Sequence, residues 1–400
     1  MRSAQQVVAG LDAIARWQEE VYADLHRHPE LSMQETRTAD TVAGHLRAAG
    51  YQVHRIGGGV VGALTNGPGP TVLFRADMDA LPVTETTGLP YASEKTGVMH
   101  ACGHDIHVAC GLSAARLLAA RPQAWSGTYL ALFQPGEETA AGAQAMLDDG
   151  LTSRIPAPGV ALSQHVLTDP PAGHLATAAG PVFSAGDSIR VTIHGKGSHG
   201  SMPHLGVDPI VLAASIVLRL QTIPSRLISP SDFAVVTVGS LHAGAKSNII
   251  PDEAVLLLNV RTYDTHVRDT VLAAIERIVR TECSAAATPR PPSFEHYEQF
   301  PVTDNDSMVT DRVTAAFRGH FGTARVHRFT PVPASEDFSR IPDAFGAPYT
   351  YWGLGGFADG SAVLPNHNPG FAPAMQPTLR TGTEAAVVAT LAHMGAVADH

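Results

Sequence analysis

Cysteine is scarce in this chain. Three occur in 400 residues, Cys102, Cys110 and Cys283. An odd, small number excludes a framework of disulfides closed within the chain and points to a reducing compartment. An excess of positive charge is also missing. Lys and Arg number 27 against 37 Asp and Glu, a formal net charge of -10. No basic run stands out, so no nucleic-acid partner is expected. No apolar run approaches the roughly 20 residues that a membrane span needs, so no membrane partner is expected either. The opening stretch "MRSAQQVVAGLDAIARWQEEVYADLHRHPEL" lacks the apolar centre and small-residue cleavage site of a signal peptide. It has the spacing of an amphipathic helix. Internal repeats and low-complexity tracts are absent. What remains is a soluble, cytoplasmic protein. Its 44% hydrophobic residues suffice for a packed core, and its length suits two domains.

Strand and helix patterns alternate through the first part. "TVLFRADMDALP" and "GTYLALFQPGEE" read as buried strands that end on carboxylates. "VACGLSAARLLAA" and "GAQAMLDDG" read as helices, and "PGVALSQHV" as a strand ending on His165. This predicts an α/β domain with a mostly parallel sheet. Sites in such sheets lie beyond the carboxyl ends of the strands. Asp77, Asp79, Glu137, Glu138 and His165 fall at such ends. "GPGP", Gly67 to Pro70, reads as a hairpin turn. After Pro181 the order becomes β-α-β-β-α-β, that of a ferredoxin-like unit. From about Asp304 the first pattern resumes. The expected organisation is a first domain over 1–183 and 301–400, with a second inserted at 184–300.

Five residues have the chemistry of a metal site: Cys102, His104, Glu138, His165 and His367. A thiolate, imidazoles and a carboxylate suit zinc, nickel, cobalt or manganese. Five donors exceed what one tetrahedral ion uses, which points to two ions. "GEE" places Glu137 beside Glu138. Adjacent side chains point apart, so one can bind metal while the other serves as general base. Taken singly, each of these residues has an ordinary reading. Cys102 could be a buried hydrophobe, as expected for Cys110 and Cys283. It could also be a nucleophile. With 20 His in the chain, many are bystanders, among them His26, His28, His45, His54, His174, His194, His242 and His400.

The motifs "LHRHPELS", "FRADMDALPV", "MHACGHDIH", "QPGEE", "QHV", "GKGSHGSMPH", "DPI", "SNIIP", "ASEDF" and "NHNPGF" run over nearly the whole chain. Together they resemble the aminoacylase and metallo-carboxypeptidase superfamily in its amidohydrolase branch, which includes hippurate hydrolases and indole-acetyl-amino-acid hydrolases. The resemblance implies two divalent ions per subunit, bridged by Cys102 and completed by His104, Glu138, His165 and His367. Glu137 would be the general base. Asp77 stands where many members of the superfamily carry a metal-binding His, and Asp79 would orient a ligand from behind. The inserted domain would form a homodimer and act as a lid. From it His199 would stabilise the oxyanion, while Asn248 and Arg261 would hold a substrate carboxylate. The implied substrate is an N-acyl amino acid, cleaved at its amide by a metal-activated water. A metallo-dipeptidase or carboxypeptidase is the alternative; a cysteine-nucleophile hydrolase and a non-catalytic binding protein are remoter ones. Thr139 and Ala140 depart from the glycines common in the branch after "GEE", Ala334 from the Gly before "SEDF", and Asn368 from the Ser after the last His. None of these removes a ligand.

Overall fold

The computed structural model describes residues 2–360 and 363–395. By their contacts they form two compact units. One comprises Phe183–Thr303 and Pro331–Glu336, and the other comprises the described residues on either side.

The larger unit is built on an eight-stranded sheet. Its spatial order is Gln52–Ile56, Gly59–Asn66, Gly127–Gln134, Thr71–Asp77, Val160–Pro171, Tyr349–Phe357, Leu175–Thr177 and Val326–Arg328. The central pairings are parallel. These strands are near-continuous apolar runs because both faces are covered. The helix His104–Ala119 is buried all round apart from Arg116 and Ala119, as expected for a helix at the centre of a core. Trp125, Trp352, Phe74 and Phe133 are fully buried around this sheet. The α/β class with a large, mostly parallel sheet agrees with the expectation from sequence.

Three local expectations are corrected. Gly67–Pro70 does not close a hairpin. The strand Gly127–Gln134 lies between the two strands this turn connects, antiparallel to one (Val61 opposite Leu132) and parallel to the other (Phe74 opposite Ala131). The turn reverses the chain, but burial of both faces of Thr71–Asp77 decides which strands pair. The strand bearing His165 does not end there; it runs to Pro171. Its ladder with Thr71–Asp77 stops at Arg75–Ser163, while the ladder with Tyr349–Phe357 continues past Leu167. The N-terminal helix is two helices, Arg2–Val8 and Leu11–Arg27. At Gly10, in the break, an added Cβ would lie 3.0 Å from a Leu117 methyl.

The smaller unit has a four-stranded antiparallel sheet in the order Ala234–Ala243, Glu253–Thr262, Ala185–His194, Ser293–Phe300. Helices Pro209–Leu220 and Thr265–Ala285 pack on it through Leu212, Ile216, Val271 and Ile275. Asp208 and Asp264 cap them by accepting backbone N–H groups. The chain order is the ferredoxin-like one. One absence inferred from sequence needs correction: by length and composition, Pro209–Leu227 is apolar enough to cross a membrane. Its inward residues belong to the core of this unit, while Val211 and Leu218 face outward at 67% and 72% exposure.

His26, expected to be a bystander, is buried between two carboxylates. Its Nδ1 lies 2.6 Å from Asp105 Oδ2 on the His104–Ala119 helix, and its Nε2 lies 3.3 Å from Glu85 Oε1 in the loop region before that helix. Tyr22, Tyr91 and His100 complete its surroundings. Burial alone would lower its pKa, but Asp105 and Glu85 outweigh burial and raise it from 6.5 to about 9. A pKa raised in the fold stabilises fully below the unfolded value and loses that effect as pH rises through the folded one. A shift of this size is worth on the order of 3 kcal/mol. The stability gap between wild type and His26→Gln in urea should therefore be widest below pH 6.5 and shrink as pH passes about 9. A gap independent of pH would contradict the ion-pair assignment.

Candidate metal centre

The centre lies where the Thr71–Asp77 strand ends and the His104–Ala119 helix begins. Gly103 makes the approach possible. Its φ is +79°, and a Cβ there would lie 2.2 Å from Val166 Cγ1. A residue with a side chain would meet both backbone strain and a clash. Cys102 Sγ sits 3.5 Å from His165 Nε2. His104 Nε2 is 3.9 Å from Glu137 Oε2 and 3.9 Å from Glu138 Oε1, and Glu138 Oε2 is 3.3 Å from His367 Nε2. The donor atoms form overlapping groups within 4.8 Å: Cys102, His104 and His165; Cys102, Glu138 and His367; and His104, Glu137 and Glu138. Cys102, His104 and Glu138 each belong to two of these groups, so the groups join into one cluster.

The backs of His104 and His165 are already engaged. His104 Nδ1–H donates to Asp79 Oδ1 at 2.9 Å. His165 Nδ1–H donates to the Val166 carbonyl at 2.8 Å. Both rings therefore turn an Nε2 lone pair toward Cys102 and the glutamates. Asp79 is held in turn, since its Oδ2 accepts from Ser32 Oγ at 2.7 Å and from the Glu138 N–H at 3.0 Å. His104 Nε2 and Glu138 Oε1 are buried and have no hydrogen-bond partner among the described residues. Leaving such atoms unpaired costs roughly 1–3 kcal/mol each. A divalent ion satisfies both, and these residues fit one.

The electrostatics agree. Burial works against a charged His104, but Asp77, Asp79 and Cys102 hold its pKa well above the usual imidazole range. Hydrogen bonds to Cys102 and Glu138 push His367 up to about 10. Burial and the neighbouring His107 hold His165 well below. Protons and metal thus compete for the same atoms, so metal binding there releases protons. His367 also adopts φ +69°, with its N–H bonded to the Ala101 carbonyl at 2.8 Å.

A short turn, Glu137–Thr139, presents the two glutamates. Gly136 enters it at φ +55°, and Ala140 leaves it at +54°. The second value shows where Ala in place of the glycine common in the branch has an effect: it occupies the left-handed region at a cost of roughly 1–2 kcal/mol. Glu35, which sequence reasoning passed over, accepts the Gly136 N–H at 2.7 Å. Burial pushes its carboxyl up to about 7. Asp77, His104 and His107 also form a compact group. His107 cannot serve there as a ligand, because its Nε2 accepts the Val166 N–H at 2.8 Å. Cys110 is fully buried, and burial pushes its thiol to about 12, so it is inert.

The sequence profile of peptidase family M20/M25/M40 matches residues 73–390. The chain belongs to that family. It is 35% identical over 364 residues to thermostable carboxypeptidase 2 of Saccharolobus solfataricus, covering 90% of this chain and 91% of that one. It is 36% identical over 350 residues to N-acetyl-L-cysteine deacetylase of Bacillus subtilis, covering 87% and 81%. The crystal structure of the YXEP protein of Bacillus subtilis, described as a dinuclear metal binding peptidase from the M20 family, superposes with a TM-score of 0.79 at 28% identity, covering 96% and 100%. This M20 chain is a metal-dependent hydrolase that acts on amides.

The smaller unit of the M20 chain carries the remaining residues singled out from sequence. His199 is exposed in a two-residue strand paired to Ile249–Ile250. Its Nδ1 accepts from the Ser201 N–H at 3.1 Å and the Ser201 hydroxyl at 2.8 Å. That leaves Nε2 as the protonated nitrogen. Asn248, also exposed, accepts the Gly200 N–H on its carbonyl at 2.8 Å. Arg261 is half-buried. Its Nε donates to Asn259 Oδ1 at 2.8 Å and its NH1 donates to Ser335 Oγ. His400 lies outside the described residues.

Proposed function

We propose that the chain hydrolyses the amide of N-acyl amino acids, using two divalent ions held by Cys102, His104, Glu138, His165 and His367. The observation that carries this reading is the pair of buried, unpartnered atoms, His104 Nε2 and Glu138 Oε1, beside the Glu137 carboxylate. Bound there, divalent ions would lower the pKa of a water and polarise the amide carbonyl. Glu137 takes a proton from that water while the water oxygen bonds to the carbonyl carbon. The C–N bond then breaks, and Glu137 returns the proton to the leaving nitrogen. No acyl-enzyme forms. His199 donates its Nε2–H to the developing oxyanion; the tautomer set by Ser201 supports that role. Arg261 and Asn248 hold the substrate's α-carboxylate. The Arg261 contacts leave one nitrogen, NH2, for that purpose.

The rival with Cys102 as nucleophile has one point in its favour, the 3.5 Å contact with His165 Nε2. It leaves the unpartnered atoms of His104 and Glu138 unexplained. The same buried donor set and base argue against a non-catalytic binder. The carboxypeptidase reading has a specific support in the names of two relatives. Its chemistry overlaps with ours: the last residue of any peptide is an amino acid acylated at nitrogen. The two readings differ only on the acyl side of the bond. In either case the partner is a small molecule, not nucleic acid or a membrane. A cytoplasmic site of action suits three buried, unpaired thiols.

A homodimer through the smaller unit belongs to this reading. Ala234–Ala243 is the edge strand of its sheet, with Val235 and Leu241 exposed, and Val211 and Leu218 stand out from the Pro209–Leu220 helix. An exposed, apolar strand edge is a ready template for a second copy.

Glu137→Gln should lower kcat by about 10²-fold or more while keeping bound metal. Mixed with His199→Ala subunits, it should regain activity if each site draws its His199 from the partner chain. Normal turnover by Glu137→Gln would remove the base assignment. Failure of mixed dimers to recover, despite proven exchange, would place His199 in its own chain's site or outside the reaction.

Substrate class can be tested on an N-acyl amino acid, its primary amide and free dipeptides. Converting the α-carboxylate to an amide should cut kcat/KM by roughly 10²-fold. Arg261→Ala should cause a similar loss on the acid and little more on the amide, the non-additivity of a direct contact. Equal hydrolysis of acid and amide by wild type would make Arg261 structural. Faster turnover of free dipeptides than of acylated amino acids would favour the peptidase reading.

A further inference from the structure

We infer that Asp77 and His107 form a positioning relay that acts through the Val166 peptide to fix how His165 meets its metal ion. The inference rests on the metal-centre reading above and adds two residues to it, neither of them a ligand.

The relay starts from two parallel carboxylate–imidazole pairs. Asp77 and Asp79 lie two apart where the Thr71–Asp77 strand ends. His104 and His107 lie three apart on the first turn of the following helix, on one face of it. Asp79 holds His104 at 2.9 Å, and Asp77 Oδ1 holds His107 Nδ1 at 2.5 Å. The two rings stack with centroids 5.5 Å apart. The first pair sends its Nε2 toward Cys102 and the glutamates. The second sends its Nε2 to the backbone, where it accepts the Val166 N–H at 2.8 Å.

That N–H needs an acceptor for a reason of topology. The ladder between Thr71–Asp77 and Val160–Pro171 stops at Arg75–Ser163. Val166 lies past its end, and an unpaired N–H buried at that point would be costly. His107 takes the place of the missing strand. Val166 in turn supplies the carbonyl that accepts His165 Nδ1–H at 2.8 Å. The peptide position thus sets the His165 ring, which reaches Cys102 Sγ at 3.5 Å. On its other side the Val166 side chain packs against Gly103, with Cγ1 2.2 Å from where a Cβ would be. A shift of Val166 would therefore disturb His165 and the Cys102 loop together.

The tautomer of His107 decides whether the relay works. Accepting from Val166 requires an unprotonated Nε2, so the proton must sit on Nδ1, facing Asp77. Asp77 keeps it there because it is an acceptor only. Its Oδ2 is paired with Arg75 NH1 at 2.6 Å, and Arg75 is fixed by Gln134 at 3.0 Å, all within the core. An Asn at 77 would keep its oxygen toward Arg75 and turn an N–H toward His107. The imidazole would then switch to the Nε2–H tautomer and oppose the Val166 N–H, donor to donor.

The test uses the full, metal-stripped chain titrated with Co²⁺ alone, read by visible absorption and by chelator competition. Asp77→Asn should weaken one of the binding steps by about 10- to 100-fold, the usual effect of groups that orient a ligand, and should change the Co²⁺ spectrum. In ¹⁵N NMR the His107 proton should move from Nδ1 to Nε2. On a His165→Ala background Asp77→Asn should cause little further loss, because its effect runs through His165. If the loss persists there, Asp77 acts through His104, whose Nε2 is 3.8 Å away, and the relay is overturned. His107→Gln, which keeps a donor and an acceptor, should retain affinity that His107→Leu loses. That pair decides the matter if Asp77→Asn fails to fold, and equal affinities would overturn the inference. Unchanged Co²⁺ binding by Asp77→Asn would overturn the relay and leave the proposed hydrolysis standing. Absence of Co²⁺ binding by wild type would overturn both.

Discussion

Two carboxylates at the end of one strand, Asp77 and Asp79, hold two imidazoles at the start of one helix, His104 and His107. The rest of the centre depends on this double pairing. It sets the start of the helix against the carboxyl end of a central strand and chooses the tautomer of both rings. It also leaves one nitrogen, His104 Nε2, buried without a hydrogen-bond partner among the described residues. Most buried polar atoms in folded proteins have a partner. Around it stand a thiol, a second imidazole and two glutamates, a donor set that suits a borderline-soft divalent ion. Pairing behind the ring and a free lone pair in front make up one arrangement, because the first fixes the direction of the second.

Much of this was legible in the chain. Carboxylates following buried strands, a Cys-x-His start to a helix and a Glu pair after Gly carry the chemistry in short motifs, and each motif sits on a local element that periodicity identifies. Legibility ended where an element's role depends on a distant partner. "GPGP" has turn chemistry, yet the strand that separates its two neighbours comes some sixty residues later. His165 looked like a strand end because one of its two ladders stops near there while the other continues. His107 carried no signal of its own: its partners are a side chain thirty residues earlier and a backbone N–H far downstream. Glu35, which binds the Gly136 N–H, was hidden for the same reason. The outward apolar residues of Pro209–Leu227 carry no such signal, since composition does not show which face a neighbour covers.

Function follows from the same economy of positions. The two glutamates of one tight turn each bring a carboxylate oxygen to 3.9 Å from His104 Nε2, so a ligand and a base can share one turn. Substrate choice is set elsewhere. In our reading an arginine and an asparagine on the smaller unit select an α-carboxylate, which N-acyl amino acids and the ends of peptides share.

The central claim is that buried donors which no described residue satisfies are there for two metal ions. Elemental analysis of the dialysed chain after loading with a divalent metal tests this most directly. The account predicts about two ions per chain in wild type, and a marked fall in Cys102→Ala, which removes a donor that belongs to two groups. Wild type without tightly bound metal, or a Cys102→Ala variant that keeps its full complement, would contradict it.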